Sequence, residues 1–430
     1  MKIIVVHQYA VPDSRPGANR CFGLSRELVR LGHEVVVVSA AFNHFGGGTV
    51  IVDAHAPVLE NHDGVHFLWI PVPSHEGNSV RRIFNLLAFA WRVSRLSRHP
   101  VLYGANIVLG SSPYPSCALA AAYLAQRMHV PFALEVRDLW PETLVALKGL
   151  SRANPVVVAL RAVEWLLYRQ ARRIVTPLGG SERYFALKNV EPERVVWIPN
   201  GVDFNLLPQD RTSPKGAFKI YYAGAIGAPN AVDTLLDVAE RVLRAKGPDE
   251  VQFHFLGEGT QKSALVQRAH KQCLTNVVFH QGVAKSEVFA KLQDAHAFIV
   301  TLRQSYLYEF GIGLNKLYDY LAMGRPVILG CPPVPEPVSL SGAGIRTPLK
   351  MSAPSPTRFF PFCRCRRPRY SRWENAGEPT SGHTTISAFW HGGWRKHWKA
   401  SAASRRRAWA LARLLDCPRM LIDSHRSRAR

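Results

Sequence analysis

Gly311-Ile-Gly313-Leu-Asn315-Lys316-Leu-Tyr-Asp319 is the segment of this 430-residue chain richest in groups that can do chemistry. Glycines allow close backbone approach at a helix start, where free amides and the helix dipole favour a phosphate group. Lys316 adds a charge beside it. Asp319, four positions after Asn315, shares its helical face, where a carboxylate can accept hydrogen bonds from ribose hydroxyls. Equally, the segment reads as a plain N-terminal turn with Asp319 solvated. Gly224-Ala-Ile-Gly227 and Gly257-Glu-Gly259 each follow an apolar run and precede a helical pattern. Each could cradle a phosphate or a base edge, with Lys262 facing anionic oxygens. Glycine is common at such turns, so two in one domain say more than either alone.

A second group lies nearer the N-terminus. Pro16-Gly17-Ala18-Asn19-Arg20 follows the first apolar run and could hold an acceptor or donor phosphate, although Asn19 serves equally well as a helix cap. Glu135-Val-Arg137-Asp138-Leu-Trp140-Pro141 ends a buried run in charged residues, which favours a site; alternatively, Arg137 and Asp138 simply pair with each other. The stretch Arg81 to Arg95 mixes apolar and basic residues. It suits either an anionic bilayer surface or a core-facing helix with a basic outer side. His7, His33 and His280 are lone histidines beside strands and read as structural. The sequence shows no Ser-His-Asp grouping, no His/Cys metal cluster and no G-x-x-x-x-G-K-[ST] loop.

These loops need elements to position them, and the chain supplies an alternation. Ile3–Val6, Glu34–Val38, Val65–Ile70, Ile107–Gly110 and Val130–Val136 read as buried strands, with a helix over Arg20–Arg30. After Pro199-Asn-Gly-Val-Asp203 a second series starts. Strands are expected at Lys219–Ala223, Val251–Leu256, Val277–His280, Ala297–Leu302 and Pro326–Leu329, with helices over Val232–Lys246 and Asn315–Met323. This order predicts an α/β protein of two Rossmann-like, doubly wound domains, 1–204 and 205–348, facing a central cleft. Open parallel sheets bind ligands beyond the carboxyl ends of their strands, so the loops above would line that cleft.

Composition separates a body from a tail. The chain is 47% apolar and 20% charged, which excludes wholesale disorder, and its net charge of +23 invites a nucleic-acid or anionic-membrane reading. Residues 351–430 carry 17 Lys/Arg against 4 Asp/Glu, leaving 37 against 27 over the first 350. The body is thus only mildly basic. The start is too short in apolar residues for a secretory signal, and no run approaches the ~18 residues of a membrane span. Isolated body cysteines predict a reducing compartment without disulfides or structural zinc, hence a cytosolic protein, possible attachment to the inner membrane face aside.

Together the segments resemble family 4 of the retaining glycosyltransferases, of GT-B fold, and within it the fucosamine-transferase-like enzymes of bacterial surface-polysaccharide assembly. The resemblance rests on His7-Gln-Tyr, Gly17 to Arg20, Arg26-Glu-Leu-Val-Arg-Leu-Gly-His-Glu-Val and Glu135 to Pro141. It continues through Glu164-Trp-Leu-Leu-Tyr168, Ile198 to Asp203, Tyr222-Ala-Gly, Leu256 to Gly259 with Lys262, and Gly311 to Pro326. It implies transfer of a sugar from a nucleotide diphosphate, UDP above all, with retained configuration and no metal ion or other cofactor. Lys262, Asn315 and Lys316 would neutralise the diphosphate, Asp319 would hold the ribose, and Arg303, Gly227, Gly257 and Gly313 would complete the donor side. Gly17, Arg20, Arg137 and Asp138 would line the acceptor side, where a polyprenyl-diphosphate-linked or saccharide acceptor enters. Retention without a clear nucleophile fits a same-face substitution in which the leaving phosphate helps accept the acceptor proton.

The chain departs from that pattern in three places. Many family members carry two carboxylates eight positions apart; Asp319 fills the second place, Gly311 stands in the first, and Glu309 is the substitute to consider, with Asp138, as catalytic. Many relatives have His where Arg137 stands. From Met351 on, Cys363-Arg-Cys-Arg-Arg-Pro-Arg369, scattered Trp and Arg405-Arg-Arg407 replace the expected acidic helical terminus. Residues 349–430 read as an out-of-frame, poorly ordered tail, the competing view being a genuine basic extension that binds nucleic acid or membrane. Other readings of the whole chain are an inactive truncated relative and, less favoured, a nucleic-acid-binding protein acting through that tail.

Overall fold

The computed structural model describes residues 1–15, 20–43, 48–49, 56–75, 80–112, 114–209, 214–332, 334 and 336–347. Gly17 and the tail from 348 onward lie outside the described residues.

In the first unit the strands are β1 (Lys2–Val6), β2 (Glu34–Ala40), β3 (Phe42–Asn43), β4 (Gly48–Thr49), β5 (Val58–His62), β6 (Val65–Ile70), β7 (Ile107–Ser111), β8 (Phe132–Glu135), β9 (Arg173–Thr176) and β10 (Val195–Trp197). Its helices are α1 (Arg20–Arg30), α2 (Val80–Ser94), α3 (Pro115–Met128), α4 (Glu142–Lys148), α5 (Pro155–Gln170) and α6 (Glu182–Leu187). Eight strands form one sheet in the order β10-β9-β8-β7-β1-β2-β6-β5, parallel except for β5 against β6. The four valines Val35–Val38 of β2 are fully buried, as the apolar run requires of a strand covered on both faces.

The second unit has β11 (Phe218–Ala223), β12 (Val251–Leu256), β13 (Val277–His280), β14 (Ala297–Thr301), β15 (Val327–Gly330) and β16 (Gly344–Thr347). They form an all-parallel sheet, β13-β12-β11-β14-β15-β16. Helices α7 (Val232–Lys246), α8 (Lys262–Lys271), α9 (Lys285–Leu292), α10 (Asn315–Ala322) and α11 (Pro337–Ser341) connect them. Both sheets are thus doubly wound, with strand order reversing between β1 and β7 in one and between β11 and β14 in the other. In open parallel sheets such a reversal is where ligands bind, beyond the strand ends. The expected division at 204/205 falls in the connection between β10 and β11.

A short 3₁₀ turn, Tyr306–Phe310, leaves the second sheet after β14 and seats in the first unit. Leu307 belongs to the first unit's apolar core, and the Phe310 ring meets Tyr184 edge-on at 5.3 Å. The strands that sequence reading did not mark are β5, β9, β10 and β16, plus the small β3–β4 pair. They are short or sit at sheet edges, where charged residues such as Glu60 and Arg173 interrupt any apolar run.

Candidate active site

Lys316 sits on the first turn of α10, and its side chain crosses the end of β11. There Gly224 leaves it room: a Cβ on that glycine would lie 2.9 Å from Lys316 Cε. The ammonium donates to Tyr222 Oη at 2.8 Å and Asn230 Oδ1 at 3.1 Å, and lies 4.2 Å from the Tyr222 ring centroid. These partners are all neutral, and no carboxylate pairs with Lys316 among the described residues. Desolvation accordingly lowers its pKa to about 7. Lys316 is half-buried, and a cation withdrawn from water without a counter-charge is costly to keep; an anionic ligand would remove that cost.

The other donor-side candidates already have protein counter-ions. Lys262 donates to Glu258 Oε1 at 2.7 Å and to the His280 carbonyl at 2.9 Å, while Glu258 also accepts the Gly282 amide. The Arg303 guanidinium spans both Asp233 oxygens at 3.2 and 3.3 Å. Asp319 is buried with Lys285 Nζ 2.5 Å from Oδ1. Desolvation raises the Asp319 carboxyl above the ordinary range even though Lys285 pulls the other way. Asn315 is exposed at the first position of α10.

The glycines divide by need. A Cβ on Gly257 would run into the Gly224 carbonyl, so the loops after β11 and β12 meet backbone to backbone. Gly227 has ordinary room, with Pro229 Cδ at 3.9 Å from a built Cβ. Gly313 abuts Leu178 and Pro177 of the first unit, and its carbonyl accepts from Asn200 Nδ2 at 2.8 Å. Gly311 has φ +109°, and a Cβ there would collide with the Gly179 carbonyl oxygen across the junction. The place where the resemblance leads one to expect a carboxylate is here filled by a close approach of two backbones.

On the first-unit side, the end of β1 delivers His7 and the end of β8 delivers Glu135 to Asp138. Arg20 is buried at the start of α1. Its Nε donates to Glu135 at 2.9 Å, one terminal nitrogen to the Pro199 carbonyl and Asn200 Oδ1, and the other to the Ile198 carbonyl at 2.7 Å. Desolvation would raise Glu135, but Arg20, Arg137 and a Ser111 hydrogen bond leave its carboxyl below the ordinary range. Arg20 thus braces the chain where it leaves the first unit.

Arg137 does not pair with Asp138. Its guanidinium lies 2.9 Å from His7 Nε2, which must therefore be the accepting nitrogen. Burial, aided by Arg137, lowers the His7 pKa to about 3, so the imidazole is neutral. Asp138 remains accessible to solvent and makes no side-chain hydrogen bond or ion pair among the described residues. It nevertheless lies in a crowded recess, where desolvation raises its carboxyl against the pull of Arg137. Its charge is felt by Tyr308 of the second unit, whose phenol desolvation and Asp138 together raise to about 12. Glu309 follows Tyr308, exposed and unbonded among the described residues.

Beside these, Tyr306 Oη donates to Glu142 Oε2 at 2.7 Å across the junction, and Arg161 pairs with the same carboxylate at 2.8 Å. Sequence reading did not single out Lys285, Asp233, Glu142 or Tyr306, because nothing in residue spacing signals a pairing between distant segments. The sequence marks His7 only as a lone histidine beside a strand; its place at the strand reversal is the available signal.

Residues 17–201 match the family described as glycosyl transferase 4-like domain, and residues 217–346 match glycosyl transferases group 1. The chain belongs to the GT-B glycosyltransferases. Among solved structures, sucrose-phosphate synthase from Thermosynechococcus elongatus has a TM-score of 0.60 at 13% identity, covering 81% of this chain and 86% of that one. HepE of Anabaena, solved with UDP and glucose, has a TM-score of 0.55 at 14% identity over 81% and 86% of the two chains. WaaG, a glycosyltransferase involved in lipopolysaccharide biosynthesis, has 0.55 at 15% identity over 82% and 87%. At such identities the likeness is one of fold. No curated protein sequence matches the chain.

Proposed function

We propose that the chain moves a sugar from a UDP-sugar to a lipid-linked or saccharide acceptor, with retained anomeric configuration, in cell-surface polysaccharide assembly. The observation that carries this reading is Lys316, a lysine without a carboxylate partner, at the strand reversal of the second sheet. A diphosphate at the N-terminal turn of α10 would meet that ammonium, and Asn315 and the free amides of the turn would add donors. The leaving diphosphate gains charge in the transition state, so fixed cations there lower the barrier.

Lys262 and Asp319 would take part by exchanging Glu258 and Lys285 for the ligand, Asp319 towards the ribose, with Arg303 nearby. We assign charge neutralisation to these side chains and not to a metal ion; turnover that survives a chelator supports this assignment. Asp138 and Arg137 face the acceptor side, with Asp138 the carboxylate free to orient the incoming hydroxyl. Departure of the diphosphate and attack of the acceptor oxygen on the same face break one C–O bond and form another, and the acceptor proton passes to the leaving phosphate.

The test is a panel of nucleotide sugars in thermal shift. A rise in melting temperature with one UDP-sugar supports the reading, and no shift with any of them counts against it. Gly311 at the first carboxylate place favours a second reading, a binding-competent but inactive relative. Binding without turnover on a lipid-linked acceptor would select it.

A further inference from the structure

Tyr222 and Asn230 hold the Lys316 side chain through acceptors alone. The Tyr222 hydroxyl gives its hydrogen to the Ala225 carbonyl at 2.6 Å, and Asn230 Nδ2 donates to the same carbonyl at 2.9 Å. That leaves a phenol lone pair and the amide Oδ1 to face Lys316, at 2.8 and 3.1 Å. Two N–H groups satisfy both partners. A neutral amine has two such hydrogens and one lone pair, and among the described residues no group donates to that lone pair. Gly224 keeps a side chain off the nitrogen, since a Cβ there would come within 2.9 Å of Nζ.

Among the described residues no carboxylate holds this amine in its charged form, and withdrawal from water lowers its pKa to about 7. Lys2, Lys188, Lys219, Lys246, Lys262 and Lys285, by contrast, each pair with a carboxylate. At pH 8 an ordinary lysine, with a pKa of about 10.4, is neutral in under about 1% of molecules. Lys316 is neutral in most of them. Only the neutral amine attacks carbon, so this lysine joins a free lone pair to the population that can use it. The residue is half-buried, so part of it meets solvent, and it stands on the first turn of α10, where an anion is favoured.

From this we infer that Lys316 is a site of acylation by acyl phosphates, its lone pair attacking the carbonyl carbon while the phosphate end of the reagent lies at the first turn of α10. The new C–N bond replaces the C–O bond to phosphate. The phosphate leaves with that bond's electron pair, and the proton shed by nitrogen passes to it or to water. Lys316 becomes a neutral amide with neither a charge nor a nucleophilic lone pair. An acyl phosphate suits the place better than an uncharged acylating group, because its phosphate end is an anion of the kind a helix start favours. The acylation rests on this geometry alone; only its consequence, loss of UDP-sugar binding, rests on the proposed donor site.

The experiment is incubation of the full chain with acetyl phosphate from about pH 6.5 to 9, with and without UDP, each lysine being followed by peptide mass spectrometry. At pH 8 Lys316 should be acetylated at least tenfold faster than the exposed Lys148, Lys271 and Lys291. Its rate should level off above about pH 8, where that of an ordinary lysine keeps rising. A Lys316 rate no higher than those of the exposed lysines, or one that climbs with pH as an ordinary lysine's does, would overturn the inference. UDP should slow the Lys316 reaction at least fivefold and leave the exposed lysines unaffected. Fast acetylation that UDP does not slow would keep Lys316 as the acylation site and count against the donor reading, so the two failures are told apart.

Discussion

The Gly311 backbone passes so close to the Gly179 carbonyl that no side chain fits between them. One glycine belongs to the second unit and the other to the first, so this contact, the Asn200–Gly313 hydrogen bond and the Tyr306–Glu142 hydrogen bond fasten the two units at one seam. Gly311→Ala adds a Cβ at a positive φ and against a carbonyl, a strain of about 1–3 kcal/mol. The expected outcome is an opened seam. Turnover should fall at least tenfold and the radius of gyration by small-angle scattering should rise, with UDP-sugar binding to the second unit retained.

Arg20 and Glu135 form a buried pair whose side chains are only 3% and 5% exposed. Arg20→Met leaves the Glu135 carboxylate without its main partner, which by the usual cost of a broken buried pair is about 3–5 kcal/mol. Chemical denaturation should show that loss, and the Arg20→Met/Glu135→Gln double variant should recover part of it. If Arg20 instead binds only acceptor, stability will hold and acceptor KM alone will rise.

The sheets were legible because buried parallel strands are written as apolar runs, as in Val35–Val38 and Ala297–Val300. The position of Lys316 on the first turn of a helix was legible from the glycines before it and the helical pattern after it; the phosphate role remains a proposal. The counter-ions were not. Lys285 and Asp233 stand far in sequence from Asp319 and Arg303, and only the folded chain brings them together. The meaning of Gly311 was hidden for the same reason, since its neighbour Gly179 lies in the other unit.

Asp138 gives an acid-side prediction. Its carboxyl titrates above the ordinary carboxylate range because of desolvation. Activity that depends on the carboxylate should fall as pH drops through that raised value. Asp138→Asn should lower kcat at least a hundredfold, remove this acid limb and leave UDP-sugar affinity unchanged. Retained turnover would remove Asp138 from the catalytic assignment.

Lys316 gives a proton-linkage prediction. Between about pH 7 and its ordinary 10.5, the folded, ligand-free protein holds Lys316 neutral while the unfolded chain holds it charged. The unfolded state binds more protons across this window, so this group's contribution to stability rises with pH there and is at its least favourable below 7. A bound diphosphate favours the charged form. UDP-sugar binding at pH 8 should therefore take up a proton, approaching one per ligand, which calorimetry in two buffers of different ionisation enthalpy would show. Lys316→Met should abolish the uptake.

The central claim is that the second unit binds a nucleotide-diphosphate sugar through Lys316. The most direct measurement is calorimetric titration of the wild type and Lys316→Met with the UDP-sugar found in the thermal-shift panel. The account predicts saturable one-to-one binding by the wild type and at least a tenfold loss in the variant, about 1.4 kcal/mol or more. Equal affinity in the two proteins, or no binding of any UDP-sugar by the wild type, would contradict it.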